Sequence, residues 1–187
     1  HNTYIESVWW ALKEIWKKGL LYKGNKVVPY CPRCGTSLSS HEVAQGYKEV
    51  EDPSVFVKFP VAGKEDTYFL VWTTTPWTLP SNAALAVKDN YTYVLVEQNG
   101  EKYILAEGRL EVLDGEYKIL DRFAGKELAS LKYEPIFPFF EKEKERAFYV
   151  VTADFVTLED GTGIVHIAPA FGEDDSRIGH EYGLPTL

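Results

Sequence analysis

The sequence contains no methionine, two cysteines, and no apolar run near the ~20 residues that a membrane span requires. A chain without an initiator residue, opening at His1-Asn2-Thr3 just before a helical pattern, is expected to be a piece of a longer polypeptide. Two cysteines in one C-x-x-C are too few for a secreted disulfide scaffold and fit a reducing compartment, so the expected location is the cytoplasm. No signal peptide is visible. Positive charge is also short. Twenty Lys and Arg stand against 28 Asp and Glu, leaving a net charge of −8. A dedicated nucleic-acid groove is normally basic, so this chain is not expected to grip a long phosphate backbone, although it can receive the tip of a nucleic acid held elsewhere.

Aromatic residues are plentiful, with 12 Tyr, 10 Phe and 5 Trp in 187 residues. That is material for a sizeable core. Residues 3–18 carry Ile5, Val8, Trp9, Leu12, Ile15 and Trp16 at the spacing of one helical face. Thr3 and Glu6 suit a capping box, and Gly19 suits a stop. A short strand over 26–30 leads into Cys31-Pro32-Arg33-Cys34. From Tyr47 onward short β-branched and aromatic runs follow one another: 55–59, 67–73, 83–87, 91–97, 102–107, 116–121, 148–152 and 163–168. Asn99-Gly100 between two of them marks a hairpin. Short helices are expected over 125–131 and after Gly172, and Glu141–Arg146 reads as a solvated loop or helix edge. The pattern predicts a mainly β protein with a closed β-barrel. Residues 1–46 form a helix and C-x-x-C appendage, and residues 47–187 form the barrel.

The most unusual stretch is VWTTTPWTLPSN (71–82), where a hydrophobic strand runs into three threonines. Pro76 and Pro80 fix φ and remove donors, so the strand stops and a stiff loop follows. Hydroxyls that both donate and accept suit a sugar, an ester carbonyl or a water. Taken alone, the stretch is also what a β-branched strand end with a Pro-rich turn looks like. A second segment, GTGIVHIAPAFGEDD (161–175), carries His166 on a strand and Asp175 at a helix start, where the dipole favours an ionised carboxylate.

Together these two segments resemble the editing domain of isoleucyl-tRNA synthetase, a class I aminoacyl-tRNA synthetase. The likeness extends to YIESVWWALKEIWKKGLLY, VVPYCPRCGTSLSSHEVAQGYKE and DPSVFVKF, and is weakest over 100–147. In the related valyl and leucyl enzymes the threonine segment continues with Arg-Pro and an acidic residue. Here Thr75-Pro76-Trp77-Thr78 stands instead, which favours the isoleucyl branch.

The resemblance implies a proofreading role. One missing methylene separates valine from isoleucine by only ~150-fold in that family's synthetic site, the case from which the general figure is drawn. A second site must therefore hydrolyse the valyl ester. The resemblance implies that Thr73, Thr74 and Thr75 hold the terminal adenosine and orient the carbonyl and a water. Trp72 and Trp77 shape the same wall, and Asn82 is a further polar member. Asp175 takes the substrate's α-ammonium, and His166 sets the steric limit of the side-chain pocket.

The expected partners are the 3′ end of tRNA(Ile) charged with valine, valyl-adenylate, and the remainder of the synthetase chain, with no membrane. No cofactor is required for hydrolysis. Cys31 and Cys34 suit half of a zinc site whose other cysteines lie elsewhere in a parent protein, with His41 as the nearby third candidate. The HIGH and KMSKS signatures of the class I synthetic site are absent, so ATP-dependent activation belongs elsewhere. Two alternatives stay open: a non-catalytic module that binds an RNA end, and an editing domain of the valyl or leucyl type.

Overall fold

A computed structural model describes residues 1–186. Helix α1 spans Asn2–Lys17. It starts before the expected cap, so Thr3 lies within the first turn and His1 stands at the N-cap without a side-chain bond. The apolar stripe is present, but none of its residues is buried. The strand expected over 26–30 shrinks to β1, Tyr30–Cys31, paired antiparallel with β2, Thr36–Ser37. Pro29, immediately before β1, offers no N–H to a ladder. Helix α2, Ser40–Gln45, is held at its start by a reciprocal pair of bonds between Ser39 and Glu42.

The body begins at β3, Val55–Pro60, and β4, Thr67–Thr73. There follow β5 (Ala84–Val87), β6 (Thr92–Gln98), β7 (Glu101–Ala106) and β8 (Lys118–Ala124). Helix α3 (Gly125–Leu128), β9 (Tyr149–Thr152), β10 (Val165–Ile167) and helix α4 (Glu173–Tyr182) complete the chain. Asn99 and Gly100 both have positive φ and turn β6 into β7, as the dipeptide predicts. The Glu141–Arg146 region includes the end of a 3₁₀ turn over Pro138–Glu143.

The strands form two mixed sheets besides the small β1–β2 ribbon. One has the order β3-β4-β7-β6-β8, with β4 and β7 parallel. The other has the order β10-β5-β9, with β5 and β9 parallel. Among the described residues the strands fall into these two sheets, and no strand ladder joins them into the expected closed ring. Short bridges and backbone hydrogen bonds link their edges. Val61 bridges Tyr133, Lys132 bridges Tyr149, and the Ala106 N–H donates to the Thr162 carbonyl at 2.9 Å.

One core fills the space between the sheets, with Phe59, Phe69, Val71, Leu85, Tyr93 and Ile167 all buried. A second cluster on the far side of the larger sheet gathers Leu70, Val94, Val96, Tyr103 and Leu105, covered in part by Leu110 and Val112. β4 is thus packed on both faces. That accounts for its continuous apolar run where an alternating pattern would mark a half-exposed strand. No described helix is long and apolar enough to cross a membrane.

Candidate active site

β4 delivers the threonine segment. Its register with β3 sets Phe56 opposite Trp72 and Val55 opposite Thr73. After Thr75 the chain does not stay extended: Pro76 opens a 3₁₀ turn over Pro76–Ser81, where its fixed φ and missing N–H are tolerated. The facing wall comes from β10, whose register with β5 sets His166 opposite Leu85, and from the first turn of α4. Between the walls lies a cleft of about 370 Å³. Trp72, Thr73, Thr74, Thr75, Trp77 and Thr78 line one side, and Val165, His166, Ala168, Phe171 and Asp175 the other. Two segments about ninety residues apart in sequence thus share one opening.

The hydroxyls are not equivalent. Thr73 is buried, and its Oγ1 accepts from the Thr75 N–H at 3.0 Å, so it braces the turn. Thr75 is exposed at the rim, with its Oγ1 3.3 Å from that of Thr73. Trp77 is 73% exposed and stands over the opening. Trp72 is half-buried against Gly161, where a Cβ would come within 2.8 Å of the indole.

Asp175 is the anchored acid. Its Oδ1 accepts from the Ala168 N–H at 2.7 Å. Its Oδ2 sits so close to Gly172 that a Cβ there would come within 2.1 Å, so a side chain at 172 would push the carboxylate out of place. Burial raises the carboxyl's pKa above the ordinary value, partly offset by the N–H groups of Ala168 and Asp175 itself. The helix-start position was expected to favour ionisation, but desolvation outweighs it. A half-buried acid with one oxygen fixed has most to gain from a cationic partner.

His166 is 7% exposed, and its Nε2 lies 2.9 Å from Thr78 Oγ1. Burial lowers its pKa to about 4, so the ring is neutral at neutral pH. Nδ1 is buried without a partner among the described residues.

Asn82 does not line the cleft, which corrects its expected place in the site. It is 4% exposed, with its amide donating to the Ala84 carbonyl at 2.9 Å and its oxygen accepting from the Tyr133 hydroxyl. Its polar groups are consumed in holding the start of β5. Four cleft residues were not singled out from sequence: Thr78, Val165, Ala168 and Phe171. Thr78 was legible only as a hydroxyl three residues after Thr75, and Phe171 as an aromatic in the Pro-kinked loop.

Cys31 and Cys34 face one another across the β1–β2 turn, where the Cys34 N–H lies 3.4 Å from Cys31 Sγ and draws that thiol below its ordinary range. His41 bonds to the Gln45 side chain at 2.8 Å. No third ligand joins the cysteines among the described residues, which therefore supply two of the four groups a tetrahedral zinc needs.

The two-sheet body is similar in fold to leucyl-tRNA synthetase editing domains. It matches the P. knowlesi cytosolic leucyl-tRNA synthetase editing domain with a TM-score of 0.56 at 14% identity, covering 73% of this chain and 66% of that one. It matches the GlLeuRS-CP1 crystal structure at 0.55 and 17% identity, covering 72% and 66%. Residues 1–168 match the class I tRNA synthetases (I, L, M and V), and the chain belongs to that family. Within it, the isoleucine–tRNA ligase of Clostridium acetobutylicum is 63% identical over 187 residues, that of Clostridium novyi 64% over 188, and that of Thermus thermophilus 54% over 191. All or nearly all of this chain is covered in each case, but it spans only 18% of each of those relatives.

Proposed function

We propose that the cleft is the second sieve of an isoleucyl-tRNA synthetase, hydrolysing valine from mischarged Val-tRNA(Ile) and from valyl-adenylate. The observation that carries the reading is the convergence of the threonine rim and the anchored Asp175 on one cavity of about 370 Å³. Asp175 receives the α-ammonium, which distinguishes an aminoacyl ester from other esters. Thr74, Thr75 and neighbouring backbone N–H groups hold the terminal adenosine and steady the oxyanion, while Thr73 keeps that turn in shape. His166 closes the side-chain pocket, and Trp72 and Trp77 wall the adenosine end.

A positioned water adds to the carbonyl carbon, and the bond to the ribose oxygen breaks. That oxygen takes a proton, releasing valine and tRNA(Ile) with a free 3′-terminal ribose. On the adenylate the same attack releases valine and AMP. No covalent enzyme intermediate is involved. Activation of isoleucine with ATP, the body of the tRNA, and the remaining zinc ligands for Cys31 and Cys34 belong to the rest of the synthetase.

Release of amino acid from tRNA(Ile) charged with Val, Thr or Ile tests this reading. Valine is expected to be released and isoleucine retained, and Asp175→Ala to abolish release. Saturable binding without release would mark a non-catalytic RNA-end module. Preferential release of threonine would mark the valyl type.

A further inference from the structure

Thr78 stands outside the Thr73–Thr75 run, yet its hydroxyl joins the two walls of the cleft. Oγ1 lies 2.9 Å from the Thr75 carbonyl oxygen and 2.9 Å from His166 Nε2. A threonine hydroxyl has one proton to give and lone pairs to offer. The Thr75 carbonyl can only accept, so an attractive contact there needs that proton. Thr78 is then left with lone pairs facing the imidazole, and Nε2 must carry hydrogen and donate. In the reverse arrangement two oxygens meet at 2.9 Å with no proton between them. The ring hydrogen moves to Nδ1, which is buried with no partner among the described residues. A stranded buried N–H is rarer than a stranded acceptor, so the first arrangement is the one that satisfies both contacts.

The geometry points to Thr78 as a positioning residue that locks His166 in its Nε2–H tautomer and fixes the imidazole plane as the wall of the cleft. The bond spans 88 positions of sequence and ties the 3₁₀ turn after β4 to β10. It engages Nε2, which gives its proton to Thr78, and leaves Nδ1 a bare lone pair buried without a partner among the described residues. His166 thus acts as a rigid boundary and transfers no proton during hydrolysis. In its consequence for selectivity the proposal rests on the editing reading, because a size limit set within a methylene fails once the wall can rotate.

Nitrogen NMR of histidine-labelled protein at pH 7 tests the lock directly. The His166 ring is expected to show a protonated Nε2 and a bare Nδ1; the opposite tautomer, or averaged signals, overturns the assignment. Thr78→Val keeps the branched shape without the hydroxyl. It is expected to average the ring signals and cut the preference for Val-tRNA(Ile) over Ile-tRNA(Ile) by roughly tenfold or more. Thr78→Ser is expected to restore both. An unlocked ring with unchanged preference overturns the selectivity role. If Thr78→Val does not fold, the wild-type spectrum and Thr78→Ser still decide. If the parent protein hydrolyses neither ester, the editing reading fails, while the ring spectrum settles the tautomer separately.

Discussion

Acidification is expected to weaken this protein through one imidazole. Burial lowers the His166 pKa from the ordinary 6.5 to about 4. In the unfolded chain the same ring takes a proton near pH 6.5, while the folded protein refuses it until about pH 4. The unfolded state therefore gains protons first as pH falls, and stability present above 6.5 is lost on the way down to about 4. The full separation corresponds to about 3 kcal/mol, of which about 2 kcal/mol is lost between pH 7 and pH 5. Asp175, whose pKa is raised, works in the opposite direction and is common to both proteins in a comparison with His166→Gln. Urea unfolding followed by far-UV circular dichroism at pH 7 and pH 5 should show wild type losing about 2 kcal/mol more than the variant. Equal losses in the two would refute the buried, neutral imidazole, and with it the tautomer argument.

Asp175 makes a kinetic prediction: its raised pKa should place the acid limb of the pH–rate profile for Val-tRNA(Ile) hydrolysis above 3.8, and a limb at or below that value would contradict the buried setting. Gly172→Ala should displace the carboxylate, because the new Cβ would meet Oδ2 at 2.1 Å. A loss of roughly tenfold or more in hydrolysis is expected, with far-UV dichroism preserved; full activity would show that the acid has room to move. Asn82→Ala should cost about 1–3 kcal/mol of stability, from the buried partners it strands, and leave KM for the valyl ester unchanged. A raised KM without loss of stability would return Asn82 to the site.

The elements were readable where local chemistry decides them. β4 follows the 67–73 run because a strand packed on both faces needs unbroken apolar sequence, and the Asn99-Gly100 turn follows from two residues that accept positive φ. Which strands share a sheet was not readable, since it depends on pairings between distant short strands, and β10 supplies only three residues to that choice. The motifs named the segments that meet at the cleft but not where each side chain points. Asn82 follows the threonine run closely, yet its direction is set by Tyr133, 51 positions away. The tie between Thr78 and His166 was invisible for the same reason: both residues are in quoted motifs, and only the fold brings their polar atoms to 2.9 Å.

The bare stripe of α1 has an optical consequence. Of the five tryptophans, Trp9, Trp10 and Trp16 all lie on this helix in the open. Indoles this exposed are expected to emit much as in water, so total fluorescence would register little of the body's unfolding. Replacing those three with phenylalanine leaves Trp72 and Trp77 as the sole emitters, one set into the mouth of the cavity and the other projecting over it. The stripped protein would then carry its own light source at the site, and quenching on addition of a nucleoside or a short acceptor-stem RNA would report occupancy without any label.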